Sequence, residues 1–231
     1  MIYKIADLIV KMETFGMTKQ RAEKYIYNCE NDVVDVEIHS AWNKIKHNHT
    51  DFTDDTGEYM CTGLNFYGKL LKFDGMMLHS SAVVVDNKAY LFTADSGVGK
   101  STHTKNWIDL FGENAFILND DKPAVRFKNG KWFAFGTPWS GKHDINENVG
   151  VEIAGIAVVY RAEENYISKF SGAEATSQLL KQICIPGNAQ SRVIVLDLLD
   201  KLITGVPVWK LECNKDIDSA RIAYEAMSGN K

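Results

Sequence analysis

The stretch Thr93–Thr102, read Thr-Ala-Asp-Ser-Gly-Val-Gly-Lys-Ser-Thr, places two glycines immediately before Lys-Ser. Gly97 and Gly99 let a backbone approach an anion through angles that a side chain would forbid. An apolar run (Ala89-Tyr90-Leu91-Phe92) leads in and a helix-compatible segment (Thr102–Phe111) leads out. In that order the amides of Asp95, Ser96, Gly97, Val98 and Gly99, and those of the first turn at Lys100, Ser101 and Thr102, point at a phosphate. The positive end of a helix dipole lies behind them. The Lys100 ammonium then reaches the β/γ-phosphates and the Ser101 hydroxyl ligates Mg²⁺. The full pattern opens on a glycine where this chain has Ala94, so the entry to the loop is expected to differ slightly.

A second chemical element follows. Ala115-Phe116-Ile117-Leu118 reads as a short strand that delivers Asn119-Asp120-Asp121-Lys122-Pro123. A carboxylate at a strand end can hold Mg²⁺, and a second can accept the proton of an attacking hydroxyl. Asn and Asp before proline also suit a plain turn. His79 interrupts the apolar run Met76–Val85 as either a hydrogen-bonded core histidine or a group beside the phosphates. Gly136–Asp144 gathers Trp139, Lys142 and His143. That loop suits a site edge, with Lys142 on phosphate and Trp139 excluding water, and equally a surface loop anchored by a buried tryptophan.

Several classes are set aside. The chain has 231 residues, 45% hydrophobic and 24% charged, with a net charge of −4. It can bury a sizeable core, and its scattered basic residues give no reason to expect nucleic acid as a partner. No run approaches the roughly 20 apolar residues of a membrane span, and Met1–Asp7 lacks the features of a signal peptide. Cys29, Cys61, Cys184 and Cys213 are too far apart to form a metal pair, so reduced thiols and a cytoplasmic location are expected. His47 and His49, two apart on a polar loop, read as solvated rather than as ligands. Asn214-Lys215-Asp216-Ile217 imitates a guanine reader but has Ile where the carboxylate belongs.

The elements that must position these groups are expected as follows. Residues 2–11 read as a strand, a helix over 19–28 is capped by Thr18, and Val33–Ile38 reads as a half-buried strand. Ser40 caps a short helix over Ala41–Lys46, and Glu58–Lys72 is a longer one. Met76–Val85 is a buried strand, and Asp86-Asn87-Lys88 turns it into Ala89–Phe92. Ala124–Lys128 and Lys131–Phe135 form a hairpin on Asn129-Gly130. Beyond these come a strand at Gly155–Tyr160, helices over Gly172–Cys184 and Gln190–Ile203, a strand at Val206–Cys213 and a helix at Asp216–Met227.

Taken in order, Leu78-His79, then Ala-Asp-Ser-Gly-Val-Gly-Lys-Ser, then Asn-Asp-Asp, resembles the HPr kinase-like branch of the phosphoenolpyruvate carboxykinase superfamily. The likeness spans residues 76–231, with 1–75 as a small N-terminal α/β lead-in. It implies an α/β fold with a mixed-sheet core into which a P-loop is set. It further implies an ATP- and Mg²⁺-dependent kinase acting on a serine or small-molecule hydroxyl. By position, Lys100 would bind phosphate, Ser101 would bind Mg²⁺ and His79 would steady the γ-phosphate or the metal shell. Asp120 would be the base and Asp121 the metal ligand, although the two could be exchanged. Ser80 stands where HPr kinases carry Gly, and the Gly-rich, Arg-containing signature of those enzymes is absent, so HPr is not the expected substrate. A nucleotide-sensing module and a stand-alone NTP hydrolase are the alternatives. The acceptor, the base preference and the oligomeric state, a homo-oligomer included, are left open.

Overall fold

A computed structural model describes residues 1–28, 32–95, 97–185 and 187–229. The expectations placed on Cys29 and Ser96 lie outside the described residues. The chain is a mixed α/β structure built on a large mixed sheet.

Next to one edge of the sheet is a hairpin of β5 (Ser81–Val85) and β6 (Lys88–Thr93). Its turn places Asp86 and Asn87 at φ 50° and 58°, the left-handed pair that a two-residue hairpin favours. Every residue of β5 is buried, as are Ala89–Thr93 of β6, which accounts for the apolar composition of both strands. β7 (Ala115–Asn119) pairs antiparallel with the other edge of β5. The 12-residue β10 (Gly150–Arg161) runs parallel to β6 and to β12 (Val208–Cys213). β11 (Tyr166–Lys169), not anticipated from the sequence, closes that edge against β12. The first residues of β10 pair with β9 (Lys131–Phe135), which continues to β8 (Ala124–Lys128) and β4 (Gly75–Met77).

Because β6 and β7 are both antiparallel to β5, they are parallel to each other. β10 and β12 share the direction of β6. The carboxyl ends of four strands therefore open at one end of the sheet, where open α/β sheets bind ligands. Thr93 and Asn119 end strands two apart, a separation of about 10 Å.

Alternation along β6 splits the core. Tyr90 and Phe92 face a cluster with Trp107 of α4 (Lys100–Phe111) and Ala220, Ala223 and Met227 of α7 (Asp218–Ser228). Ala89 and Leu91 face the opposite cluster. It holds Leu179 of α5 (Gly172–Leu180) and Val195, Leu198 and Leu202 of α6 (Ala189–Gly205). Trp107 is fully buried and donates its indole N–H to His103, whose other ring nitrogen meets the Ser219 hydroxyl at 3.2 Å. Burial pushes the His103 imidazole down to about 3, so it is a neutral strut locking α4 to α7.

The first residues form a separate three-stranded sheet. β1 (Ile2–Ile5) and β2 (Leu8–Met12) are a hairpin rather than one strand, because Ala6 and Asp7 take φ 52° and 58°. β3 (Val36–Ile38) joins β2 in parallel. α1 (Gly16–Arg21) begins before Thr18, which is no cap but a buried donor to Glu58. After the single-turn α2 (Trp42–Ile45), α3 (Asp54–Leu70) starts earlier than its apolar pattern suggests, because the Thr53 hydroxyl accepts from the Thr56 amide at 3.2 Å. Tyr59, Phe66, Tyr67 and Leu70 of α3 share one core with β1, β2, Ala124, Phe135 and Trp139.

The expected strand Met76–Val85 is broken. Its first part pairs with β8 and its last with β6 and β7, and His79 occupies the break. The chain crosses from one part of the sheet to another there, which the apolar run conceals.

Candidate functional site

Gly97 and Gly99 lie between the end of β6 at Thr93 and the start of α4 at Lys100. Gly97 and Gly99 sit at φ 79° and 127°, and a Cβ built on either meets nothing within 4 Å. Backbone conformation, not crowding, demands glycine at both positions. No acceptor among the described residues takes the amides of Gly97, Gly99, Lys100, Ser101 or Thr102. Three of them are the free donors at the start of a 12-residue helix, where the dipole is positive. Ala94 is buried and its carbonyl accepts from Lys100 Nζ at 2.9 Å. Burial lowers the Lys100 ammonium, while the charges of Asp121 and Asp95 act the other way. Asp95 is exposed, and Ser101 and Thr102 are exposed on the first turn of α4; Val98 donates to the Asp95 carbonyl at 3.3 Å.

The loop is held from behind by a residue that sequence reasoning missed. Arg161, the last residue of β10, donates from Nε to the Val98 carbonyl at 2.9 Å and from Nη2 to the Gly97 carbonyl. A charge ending a long apolar strand was the available signal. Cavities of about 250 and 380 Å³ flank the loop, both lined by Gly97, Val98 and Arg161. The larger also touches Asn214 and Lys215.

The acidic pair sits two strands away, on a turn built by its neighbour. Buried Asn119 accepts from the amides of Asp121 (3.0 Å) and Lys122 (2.7 Å), while its amide donates to the Thr137 carbonyl. The stretch is thus a turn that Asn119 holds from within. Asp121 meets His79 Nε2 at 3.1 Å and pairs with Lys122, and its carbonyl accepts from the Ser80 amide. The other ring nitrogen of His79 meets Gln182 Oε1 at 3.1 Å, and the His79 carbonyl accepts from Thr93 at the mouth of the glycine loop. Gln182, a second residue the sequence did not flag, reaches Asp95 at 3.5 Å. His79 is therefore not at a strand end: its contacts link Asp121 to the strand that leads into the glycine loop.

The two carboxylates differ. Burial raises Asp120, helped by the charge on Asp121 and opposed by the Gly141 amide that bonds it at 2.5 Å. Asp121 feels burial too, but hydrogen bonds from His79 and Lys122 and the Lys122 charge outweigh it and hold the carboxyl at about 2. Two groups in one turn whose environments push their pKa values apart divide naturally into a proton acceptor and a permanent anion.

Gly136–Asp144 is anchored by a buried tryptophan and borders a cavity. Trp139 is buried, stacked on Phe66 at 4.9 Å, and also lines a cavity of about 340 Å³ that reaches Asp121, Lys122 and exposed Lys142. His47 and His49 are exposed, and among the described residues no group of three or more His, Cys, Asp or Glu could hold a metal ion. That result does not weigh against Mg²⁺. Mg²⁺ keeps several waters and takes one or two protein ligands plus phosphate oxygens, and Ser101 and Asp121 are of the right type. No helix among the described residues is long and apolar enough to cross a membrane.

No family model matches the chain, and no curated protein does. Among solved structures it is distantly similar to the Hpr(Ser) kinase/phosphatase from Coxiella burnetii. Identity is 13% and the TM-score 0.39, over 67% of this chain and 94% of that one. A likeness at that score carries no argument, so the functional reading rests on the geometry of this chain.

Proposed function

We propose that this chain is an ATP- and Mg²⁺-dependent kinase that transfers the γ-phosphoryl group to a hydroxyl, on a P-loop core of the HPr kinase-like type. One observation carries the reading: His79 ties the carboxylate of Asp121 to the strand end that feeds the glycine loop, and the charge of Asp121 is felt at Lys100. The glycine loop, Lys100 and the acidic turn thus lie at one sheet end, which supports the reading.

In this reading the free amides of Gly97 and Gly99–Thr102 hold the phosphates. Lys100 exchanges the Ala94 carbonyl for a phosphate oxygen. Ser101 and Asp121 would hold Mg²⁺, which supplies charge neutralisation on the β- and γ-oxygens. The acceptor oxygen attacks the γ-phosphorus as the bond to the bridging oxygen breaks, and its electron pair leaves with ADP. The acceptor proton passes to Asp120, whose raised carboxyl is the better proton acceptor of the two. Lys142, exposed at the cavity rim, supplies further positive charge.

The test is transfer of labelled γ-phosphate from ATP into fractionated cell extract. Label in an organic acceptor with wild-type protein, and none with Lys100→Ala, supports the reading. Release of inorganic phosphate alone, without an acceptor, replaces it with a hydrolase, and ATP binding without turnover replaces it with a sensor.

A further inference from the structure

The cavity of about 340 Å³ beside the acidic pair is walled on its far side by the N-terminal segment. Met17 and Arg21 come from α1, and Tyr59, Met60, Leu64 and Tyr67 from α3. Its aromatic walls have spent their polar atoms elsewhere. The Tyr59 hydroxyl donates to the Ser140 carbonyl at 2.6 Å, that of Tyr67 to the Lys122 carbonyl at 2.5 Å, and the Trp139 indole N–H to Thr62 at 3.2 Å. Burial raises both tyrosines far above their usual range, so they stay neutral. What remains facing the cavity is apolar. At its mouth Met60 and Leu64, one turn apart on α3, are 45% and 55% exposed.

The charged lining comes from Arg21, Asp121, Lys122 and Lys142. Arg21 is occupied by the Ser140 carbonyl, the Tyr59 hydroxyl and Asp144, whereas Lys142 is exposed and has no partner among the described residues. The cavity therefore has a reactive, charged part against the acidic turn and an apolar part against α1 and α3. A volume near 340 Å³ is at the small end of ligand cavities, which run from about 300 to 1,000 Å³.

Resting on the kinase reading above, we infer that this cavity is the acceptor site and that the acceptor is a small molecule with a hydroxyl on an apolar, alkyl or aromatic body. The hydroxyl lies against Asp121, with Asp120 next in the chain behind Gly141, and the body lies between Trp139, Met60 and Leu64. Lys142 faces the phosphoryl group in transfer. The bonds made and broken are those of the transfer step above, with the phosphate ester as product.

The experiment uses the full chain and a series of 4-alkylphenols, from 4-methylphenol to 4-butylphenol, with free serine as the polar comparison. Calorimetric titration without nucleotide reads the cavity alone. Affinity is expected to rise about fourfold per added methylene, to lose that dependence in Leu64→Glu, and to keep it in Leu64→Met. Both changes fall on an exposed side chain, so folding is retained. Labelled ATP then reads transfer to the same phenols. A flat series in the wild type, or an unchanged slope in Leu64→Glu, overturns the cavity assignment whatever the transfer assay shows. Binding with the expected slope, but label appearing only in serine or in extract protein, overturns the acceptor role while leaving the kinase reading intact. Binding with no transfer to any acceptor removes the kinase reading itself.

Discussion

The turn Asn119–Lys122 has two sides that are built on different physics. Toward the glycine loop, the surroundings are backbone: amides that no acceptor among the described residues takes, a helix start, carbonyls gripped by Arg161 and glycines whose angles, not their size, are required. Toward the cavity, the surroundings are side chains of Trp139, Tyr59, Tyr67, Met60 and Leu64, with polar atoms satisfied elsewhere. A backbone cradle recognises an anion that all nucleotides share and can tolerate many substitutions around it. A side-chain cavity selects by shape and apolar area and changes with each residue. On the proposed kinase reading, generality and selectivity fall to different sides of one four-residue turn.

The sharpest way to break this comparison is at the turn itself. Asp121→Asn is expected to lower transfer by about a thousandfold or more, since it removes the anion that His79 and Lys122 address. Asp120→Asn should leave ATP affinity near wild type while losing most transfer, as measured by equilibrium binding beside single-turnover kinetics. Equal loss of ATP binding in both would mean that the two carboxylates share one role.

The pH profile sharpens the division further. A proton acceptor must be ionised, so activity falls as pH drops through the Asp120 pKa. Because burial raises that carboxyl, the acid limb of kcat/KM should lie above the ordinary aspartate range. Asp121, held at about 2, should contribute nothing to the limb above pH 4. A profile flat down to pH 4 would remove Asp120 from the proton-transfer role.

On the glycine-loop side alone, Arg161→Ala frees the Gly97 and Val98 carbonyls. ATP affinity is expected to weaken about tenfold, from loss of preorganisation, with no change in phenol binding. An equal change at both sites would show that the two sides are mechanically one. The smallest effect belongs to the buried contact of α3 with α1, behind the cavity wall. Glu58 of α3 is buried against Thr18, and burial raises its carboxyl. The folded chain thus holds this proton to higher pH than the unfolded chain, and stability declines as pH rises through that window. Glu58→Gln should raise Tm at pH 8 by about 2 °C or more and change it less at pH 4.5, in paired melting curves.

Much of this was legible in the sequence where the determining contacts are local. The glycine loop, the Asp86-Asn87 and Asn129-Gly130 hairpins and the strand ending in Asn119 all depend on angles and neighbours within a few residues. The break around His79 was not legible, because an apolar run does not record which partner strand each half will choose. Residues 2–11 misled for a related reason: Ala6 is an unusual tenant of a left-handed turn position.

By itself, then, the amino-acid order determined a strand, a glycine loop, a helix and an acidic turn, since each is short-range and set by backbone freedom and hydrogen bonding. Only the tertiary structure decided that the acidic turn and the loop lie at the same sheet end, because that follows from β6 and β7 both pairing with β5. It also brought Gln182 to His79 and Arg21 to Ser140, partners 103 and 119 residues apart. The apolar cavity exists for the same reason. Its walls come from segments that meet only when buried apolar surface drives α1 and α3 onto the main sheet, and no window of sequence contains both walls.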